Sequence, residues 1–304
     1  MSFEILIDTS LLELVPECGV APGENKTVLS MANDFEDGEW RYTRFLNFVW
    51  DNVALTCLSQ RERQSLVGHA HTELVEAARR LRLTCSPTDP TEGSELAEVV
   101  LYGIMQDHFG ALPVVPKIFY KQNRQDNAKG SDSVHIVISG DDFSLWLGEA
   151  KFYNSIEDAR LPSIVASVAE MLTSEKLRKE TSIVTSLSDL DDLGIQEDLA
   201  LRIKIALDTR NSIDDLKPRL NVPILLLHGC DITQGTSMFT TEYRDQLVAK
   251  HKDRATAYFR KQAATIGSSH MYSAVRFYVI LFPVPSKANI VQRFVDAISF
   301  YRNQ

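Results

Sequence analysis

The sequence predicts an α/β protein, with a mainly helical N-terminal region over residues 1–88 and a mixed α/β domain over residues 89–304. Three observations predict this. Helical hydrophobic spacing dominates residues 40–82, with Leu66, Leu74, Ala77 and Leu81 set among charges on an amphipathic pattern. The stretch Cys85-Ser86-Pro87-Thr88-Asp89-Pro90-Thr91-Glu92-Gly93 is rich in proline and turn formers, as domain boundaries are. Beyond it, short strand-like runs alternate with helical ones, the pattern of a mixed sheet flanked by helices.

Taken in order, residues 3–8 read as a short strand, and helices are expected at about 40–57 and 60–82. Ser94 is an N-cap candidate for a helix running to about His108, and Pro113 and Pro116 close the segment that follows. Strands are expected at 133–138 and 143–151, separated by the turn sequence Ser139-Gly140-Asp141-Asp142. Further helices are expected near 156–180, 236–265 and 286–302, and further strands near 222–228 and 272–283. No internal repeat or low-complexity tract is present.

Composition excludes several classes. Of 304 residues, 44% are hydrophobic and 24% charged, enough apolar material for a sizeable core. Apolar stretches such as Val222–Leu227 fall far short of the ~20 residues of a membrane helix, and the N-terminus shows no secretory pattern, so a cytoplasmic protein is expected. Cys18, Cys57, Cys85 and Cys230 are scattered, which argues against a zinc knuckle or a disulfide scaffold. With 41 acidic against 32 basic residues, the net charge of −9 means that any contact with nucleic acid is local. The chain carries neither a phosphate-binding Gly-x-x-x-x-Gly-Lys loop nor Gly-x-Gly-x-x-Gly, so no nucleotide cofactor is expected. His228 ends an apolar run, but without a Gly-x-Ser-x-Gly elbow anywhere the run reads as a buried strand.

The hairpin concentrates the chemistry. A turn centred between Gly140 and Asp141 sets Asp132 opposite Glu149, and the period of two puts Phe143, Leu145, Leu147, Glu149 and Lys151 on one face. Opposed carboxylates destabilise a sheet unless a cation compensates them. Lys151 supplies part of that compensation, and a divalent metal would supply more while holding water for hydrolysis. Glu98 lies in the apolar run Leu96–Tyr102, where an unpartnered carboxylate is costly. It is therefore preferred as a third acidic site residue over Glu95, which suits the helix dipole. His135, by alternation, should face away from Asp132. Between the helix and the hairpin, Lys117, Lys121, Arg124 and Lys129 stand against the single Asp126, a basic stretch suited to phosphate contacts or to a solvated loop.

Acidic helix, Asp132 and Glu149-Ala150-Lys151 together resemble the PD-(D/E)xK nuclease pattern, with Ser131 where the nominal pattern has proline. The longer text resembles the HamA family, effectors of the Hachiman anti-phage defence system. Its matching parts are Ala111–Tyr120, then Lys129-Gly130-Ser131-Asp132-Ser133-Val134-His135, then Trp146-Leu147-Gly148-Glu149-Ala150-Lys151-Phe152-Tyr153. The resemblance implies a restriction-endonuclease-like core over residues 89–304 and a Mg²⁺-dependent DNase, with Mn²⁺ as a substitute. It also implies a heterodimer with a helicase, HamB, which restrains the nuclease and delivers it to DNA. By position, Asp132, Glu149 and Glu98 would hold the metal and Lys151 would orient or polarise water. From their charge alone, Lys117, Lys121, Arg124 and Lys129 are the candidates for contact with nucleic acid. The alternatives are a catalytically idle adaptor with a nuclease fold that binds the helicase, against which the presence of Asp132, Glu149 and Lys151 together argues, and an RNase, which would carry the same residues.

Overall fold

The structure, a computed structural model, describes residues 3–17, 19–20, 23–81, 93–122, 130–186 and 195–304. Its strands are β1 (Glu4–Ser10), β2 (Lys26–Ala32), β3 (Phe35–Glu36), β4 (Glu39–Trp40), β5 (Leu112–Val115), β6 (Ser133–Ser139), β7 (Asp142–Tyr153), β8 (Leu220–Gly229) and β9 (Arg276–Val284). The first helices are α1 (Leu11–Leu14), α2 (Tyr42–Cys57), α3 (Gln60–Ser65), α4 (Ala70–Arg80), α5 (Ser94–Phe109) and α6 (Lys117–Gln122). After the hairpin come α7 (Leu161–Met171), α8 (Ser174–Ser186), α9 (Glu197–Ala206), α10 (Ile213–Leu216), α11 (Asp231–Gln234), α12 (Thr241–Ile266) and α13 (Lys287–Arg302).

Seven strands form one mixed sheet in the order β1-β2-β9-β8-β7-β6-β5, and β3 and β4 form a separate short hairpin. The four central strands β2, β9, β8 and β7 run parallel, while β1 on one side and β6 and β5 on the other run antiparallel to their neighbours. Parallel strands are covered on both faces, which is why β8, buried at every position, carries the apolar run Val222–Leu227 between Asn221 and His228.

The pleat sorts the side chains into two cores. Leu145 and Leu147, Ile224 and Leu226, and Val279 and Leu281 point to a first face, closed by residues of α7, α8, α9 and α12. Trp146, Ala150, Phe152, Leu225, Leu227 and Ile280 point to a second face under α2, α4, α5 and α13. This α/β/α layering places the hairpin β6–β7 beside the parallel centre, with helices above and below it.

Several elements differ from the sequence reading. The mainly helical N-terminal region contributes a second strand, β2, beside the expected one at β1; both join the common sheet, and α2 and α4 share the core of α5 and α13. The helix expected over 60–82 is two, α3 and α4, separated around Gly68. The one expected over 156–180 divides into a short 3-10 turn at Asp158–Arg160 followed by α7 and α8, with a break at Leu172 and Thr173. The expected boundary segment falls outside the described residues, apart from Gly93.

Candidate active site

The hairpin has the register its turn dictates. Ladder pairs run from Ser133 opposite Gly148 to Ser139 opposite Asp142. Gly140 takes φ +59°, a conformation that L side chains rarely adopt, so a glycine suits this corner. Asp132 sits immediately before β6, where its N–H donates to Gly148 O at 2.8 Å. Its carboxylate then takes the place of further ladder, with Oδ2 accepting the Ala150 N–H at 3.0 Å.

Glu149 and Lys151 share the parity of Leu145 and Leu147 and lie beside Ile224 and Leu226 of β8, so both point to the first face. Lys151 Nζ lies 2.6 Å from Glu149 Oε1 and 4.0 Å from Asp132 Oδ2. The Glu149 side chain is 7% exposed, against 17% for Asp132 and 29% for Lys151, so the group opens toward solvent at the lysine. Burial raises the Glu149 pKa and the Asp132 charge adds to the rise, while Lys151 and a hydrogen bond with Ser167 of α7 oppose it. Burial works to lower the Lys151 pKa, but Glu149 and then Asp132 outweigh it and hold the ammonium above its ordinary value.

Two neighbours escaped the sequence reading. Ser167 bonds Glu149 from α7. Tyr258 of α12, whose phenol is pushed up chiefly by burial, also feels the Glu149 charge. Nothing in the spacing of either marked it, because both come from helices remote in sequence that meet the hairpin only through the fold.

The other expected site residues are placed differently. Glu98 is buried on α5, which packs on the second face. The Cys57 thiol, raised chiefly by burial, feels the charges of Glu95 and Glu98. Among the described residues, no three metal-ligating side chains gather, so Asp132 and Glu149 form a two-carboxylate group without Glu98. The reason is the pleat: residues 149 and 151 turn away from the helix that carries Glu98. His135 does face away from Asp132, as alternation requires. Its ring lies 4.5 Å from that of Tyr102, and burial pushes its pKa down to about 3.

Lys117 is not part of an exposed basic patch. It is 2% exposed and its Nζ lies 2.6 Å from Oε2 of Glu180, itself 1% exposed. The position looked solvated in sequence because its partner is far along the chain. Lys121 lies in α6, and Arg124 and Lys129 fall outside the described residues. A polar cavity of about 800 Å³, lined by Trp40, Arg41, Arg44, Asp51, Asp107 and Arg293 among others, contains no member of the Asp132 group.

Two hard carboxylates beside an ammonium suit a small divalent cation, since Mg²⁺ takes one or two carboxylates and keeps several waters. The family model HamA matches residues 9–298, from the end of β1 into α13. The chain belongs to the HamA family. No curated protein matches it. HamA membership makes the chain an effector of Hachiman anti-phage defence, and the matched span contains the whole Asp132, Glu149 and Lys151 group. Among the described residues, no helix is long and apolar enough to cross a membrane.

Proposed function

We propose that this HamA protein is a metal-dependent nuclease of the PD-(D/E)xK kind that hydrolyses phosphodiester bonds of DNA. The observation that carries the reading is the convergence of Asp132, Glu149 and Lys151 on one face of the hairpin, with both carboxylates within 4.0 Å of one ammonium. Asp132 and Glu149 would hold Mg²⁺, or Mn²⁺ in its place. The metal, when bound, would supply Lewis acidity toward the phosphate and water activated for attack.

The chain's own residues set the remaining terms. The Ala150 N–H fixes the Asp132 carboxylate, and Ser167 bonds that of Glu149, so neither has to be ordered at the moment of reaction. Lys151, its pKa raised by Glu149 and then Asp132 against the effect of burial, is a cation at neutral pH in the metal-free chain. Its role is to polarise water or offset charge that develops on the phosphate. The net charge of −9 disfavours non-specific attachment to a polyanion, which fits delivery by a partner. That partner, in this reading, is the helicase HamB, in a heterodimer that restrains cleavage until the motor engages DNA.

Incubation of the reconstituted complex with labelled duplex DNA and, separately, with RNA of matched sequence tests the reading, in Mg²⁺ and in EDTA with ATP present. Mg²⁺-dependent loss of DNA alone is expected. Loss of RNA alone would make the protein an RNase, and loss of neither would make it an adaptor.

A further inference from the structure

Immediately before Asp132, the backbone is tied to a buried ion pair. Glu180 of α8 accepts the Ser131 N–H on Oε1 at 2.8 Å and the Lys117 ammonium on Oε2 at 2.6 Å. Ser131 has no exposed surface, and Lys117 and Glu180 are almost as completely enclosed. At Gly130 the main chain comes so close to the carboxylate that a Cβ would stand 1.9 Å from Glu180 Oε1. One carboxylate thus joins α8, the start of α6 and the two residues that lead into Asp132.

Stability alone is a poor reason to keep such a pair. Two ions taken out of water lose their hydration, and apolar residues of similar volume often replace a buried pair without loss. What apolar residues cannot supply is an acceptor for the Ser131 N–H. A proline at 131, as in the nominal nuclease pattern, would carry no N–H at all. Serine brings a donor into an enclosed position, and Glu180 satisfies it; the Lys117 ammonium, on the other oxygen, aims the carboxylate.

We propose that the Lys117–Glu180 pair is a positioning device for Asp132, holding the Gly130–Ser131 backbone so that the Asp132 carboxylate stays on the Ala150 N–H and in reach of a metal shared with Glu149. The proposal rests on the nuclease reading for the metal, but the placement of Asp132 is separable from it. Glu180 and Lys117 touch neither Glu149 nor Lys151 among the contacts described and act through the main chain.

Two charge-neutral double variants of the full chain separate positioning from packing. Lys117→Met with Glu180→Gln removes both charges and keeps a carbonyl oxygen for Ser131. Lys117→Met with Glu180→Leu removes the oxygen too. Two readouts are taken: exchange of the Ala150 amide, followed by NMR, and Mn²⁺ affinity, followed by the electron paramagnetic resonance of free Mn²⁺. Thermal unfolding of each variant provides the control.

With Glu180→Gln, Ala150 exchange and Mn²⁺ affinity are expected within about threefold of wild type. With Glu180→Leu, Ala150 is expected to exchange at least about tenfold faster, through local opening. Mn²⁺ affinity should fall by about 10–100-fold, as when a partner of a metal ligand is lost. Wild-type behaviour of the Glu180→Leu variant in both readouts would overturn the proposal and leave the pair a packing element. Absence of Mn²⁺ binding in wild type would overturn the metal reading, while Ala150 exchange would still decide the positioning. If the leucine variant does not fold, Lys117→Met with Glu180→Met, an adaptable apolar side chain, provides the same comparison.

Discussion

The Ala150 N–H donates to Asp132 Oδ2 at 3.0 Å, so a side chain continues the hydrogen bonding of β7 where the backbone of β6 has ended. The carboxylate therefore has two separable properties, an acceptor oxygen and a charge. Asp132→Asn keeps an oxygen for Ala150 and loses the charge. It should unfold within about 1 kcal/mol of wild type, the scale of a neutral hydrogen bond, and lose metal-dependent cleavage. Urea unfolding alongside a cleavage assay checks both. Retained cleavage would remove Asp132 from the site.

Metal and proton compete for Glu149. Its pKa is raised by burial and by Asp132, so Mn²⁺ or Mg²⁺ affinity should fall with acid at a pH where an ordinary carboxylate is still ionised. In the metal-free fold Asp132 adds to the rise that burial imposes on Glu149, and a bound cation relieves this opposition. Mg²⁺ at a hundred times its Kd should stabilise by about 2.7 kcal/mol. Scanning calorimetry in Mg²⁺ and in EDTA should show a Tm gain at pH 7.5 that shrinks at pH 5.5. An equal Tm in both solutions at pH 7.5 would exclude a metal site in the free protein.

A buried histidine pair on the first face should set the acid limit of the fold. His228 Nδ1 donates to Gly229 O at 3.0 Å, which leaves its Nε2 to accept from His251 Nε2 at 3.2 Å. His251 Nδ1 then accepts from Ser30 Oγ at 2.6 Å. This chain of bonds needs both rings neutral. Burial pushes His228 down to about 4, and His251, with His228 adding to burial, lies well below its usual value. The unfolded chain therefore takes up protons first as pH falls below the ordinary histidine pKa of about 6.5. Stability from this pair is complete above that pH and is lost between it and the folded-state values. Each histidine contributes a slope approaching about 1.4 kcal/mol per pH unit. Urea midpoints should fall between pH 7 and pH 5 and should fall less in His228→Asn with His251→Gln. An equal fall in that variant would show that the pair does not set the acid limit.

Lys117→Met alone strands the Glu180 charge in an enclosed site. The loss should be about 3–5 kcal/mol, as for a broken buried pair, seen as a lower urea midpoint. The salt dependence of DNA binding by the assembled complex should not change, since the ammonium does not reach solvent. A shallower salt slope with unchanged stability would return Lys117 to the DNA-contacting surface.

Local sequence made the hairpin legible. The Gly140 corner fixes the register, and the period of two then places Glu149 and Lys151 together and His135 away. The same rule, applied to β7 as a whole, turns these residues from α5, whereas the apolar surroundings of Glu98 within its own helix say nothing about which sheet face the helix covers. Strand β2 was not legible. Its run Lys26-Thr27-Val28-Leu29-Ser30-Met31-Ala32 is almost wholly buried, so it shows no alternation. Its polar residues are satisfied locally or at long range, Lys26 by Asn25 and Ser30 by His251. Lys117 failed for a similar reason, because Glu180, which makes its burial tolerable, lies 63 residues away.

Plasmid integrity over time tests the central claim most directly, using the purified HamA chain with and without its helicase and ATP, in Mg²⁺ and in EDTA, for wild type and Lys151→Ala. Loss of plasmid in Mg²⁺ by the wild-type complex alone, with Lys151→Ala folded and still bound to the helicase, is the predicted result. Loss of plasmid by the Lys151→Ala complex at the wild-type rate, or an intact plasmid with a verified wild-type complex, would contradict it.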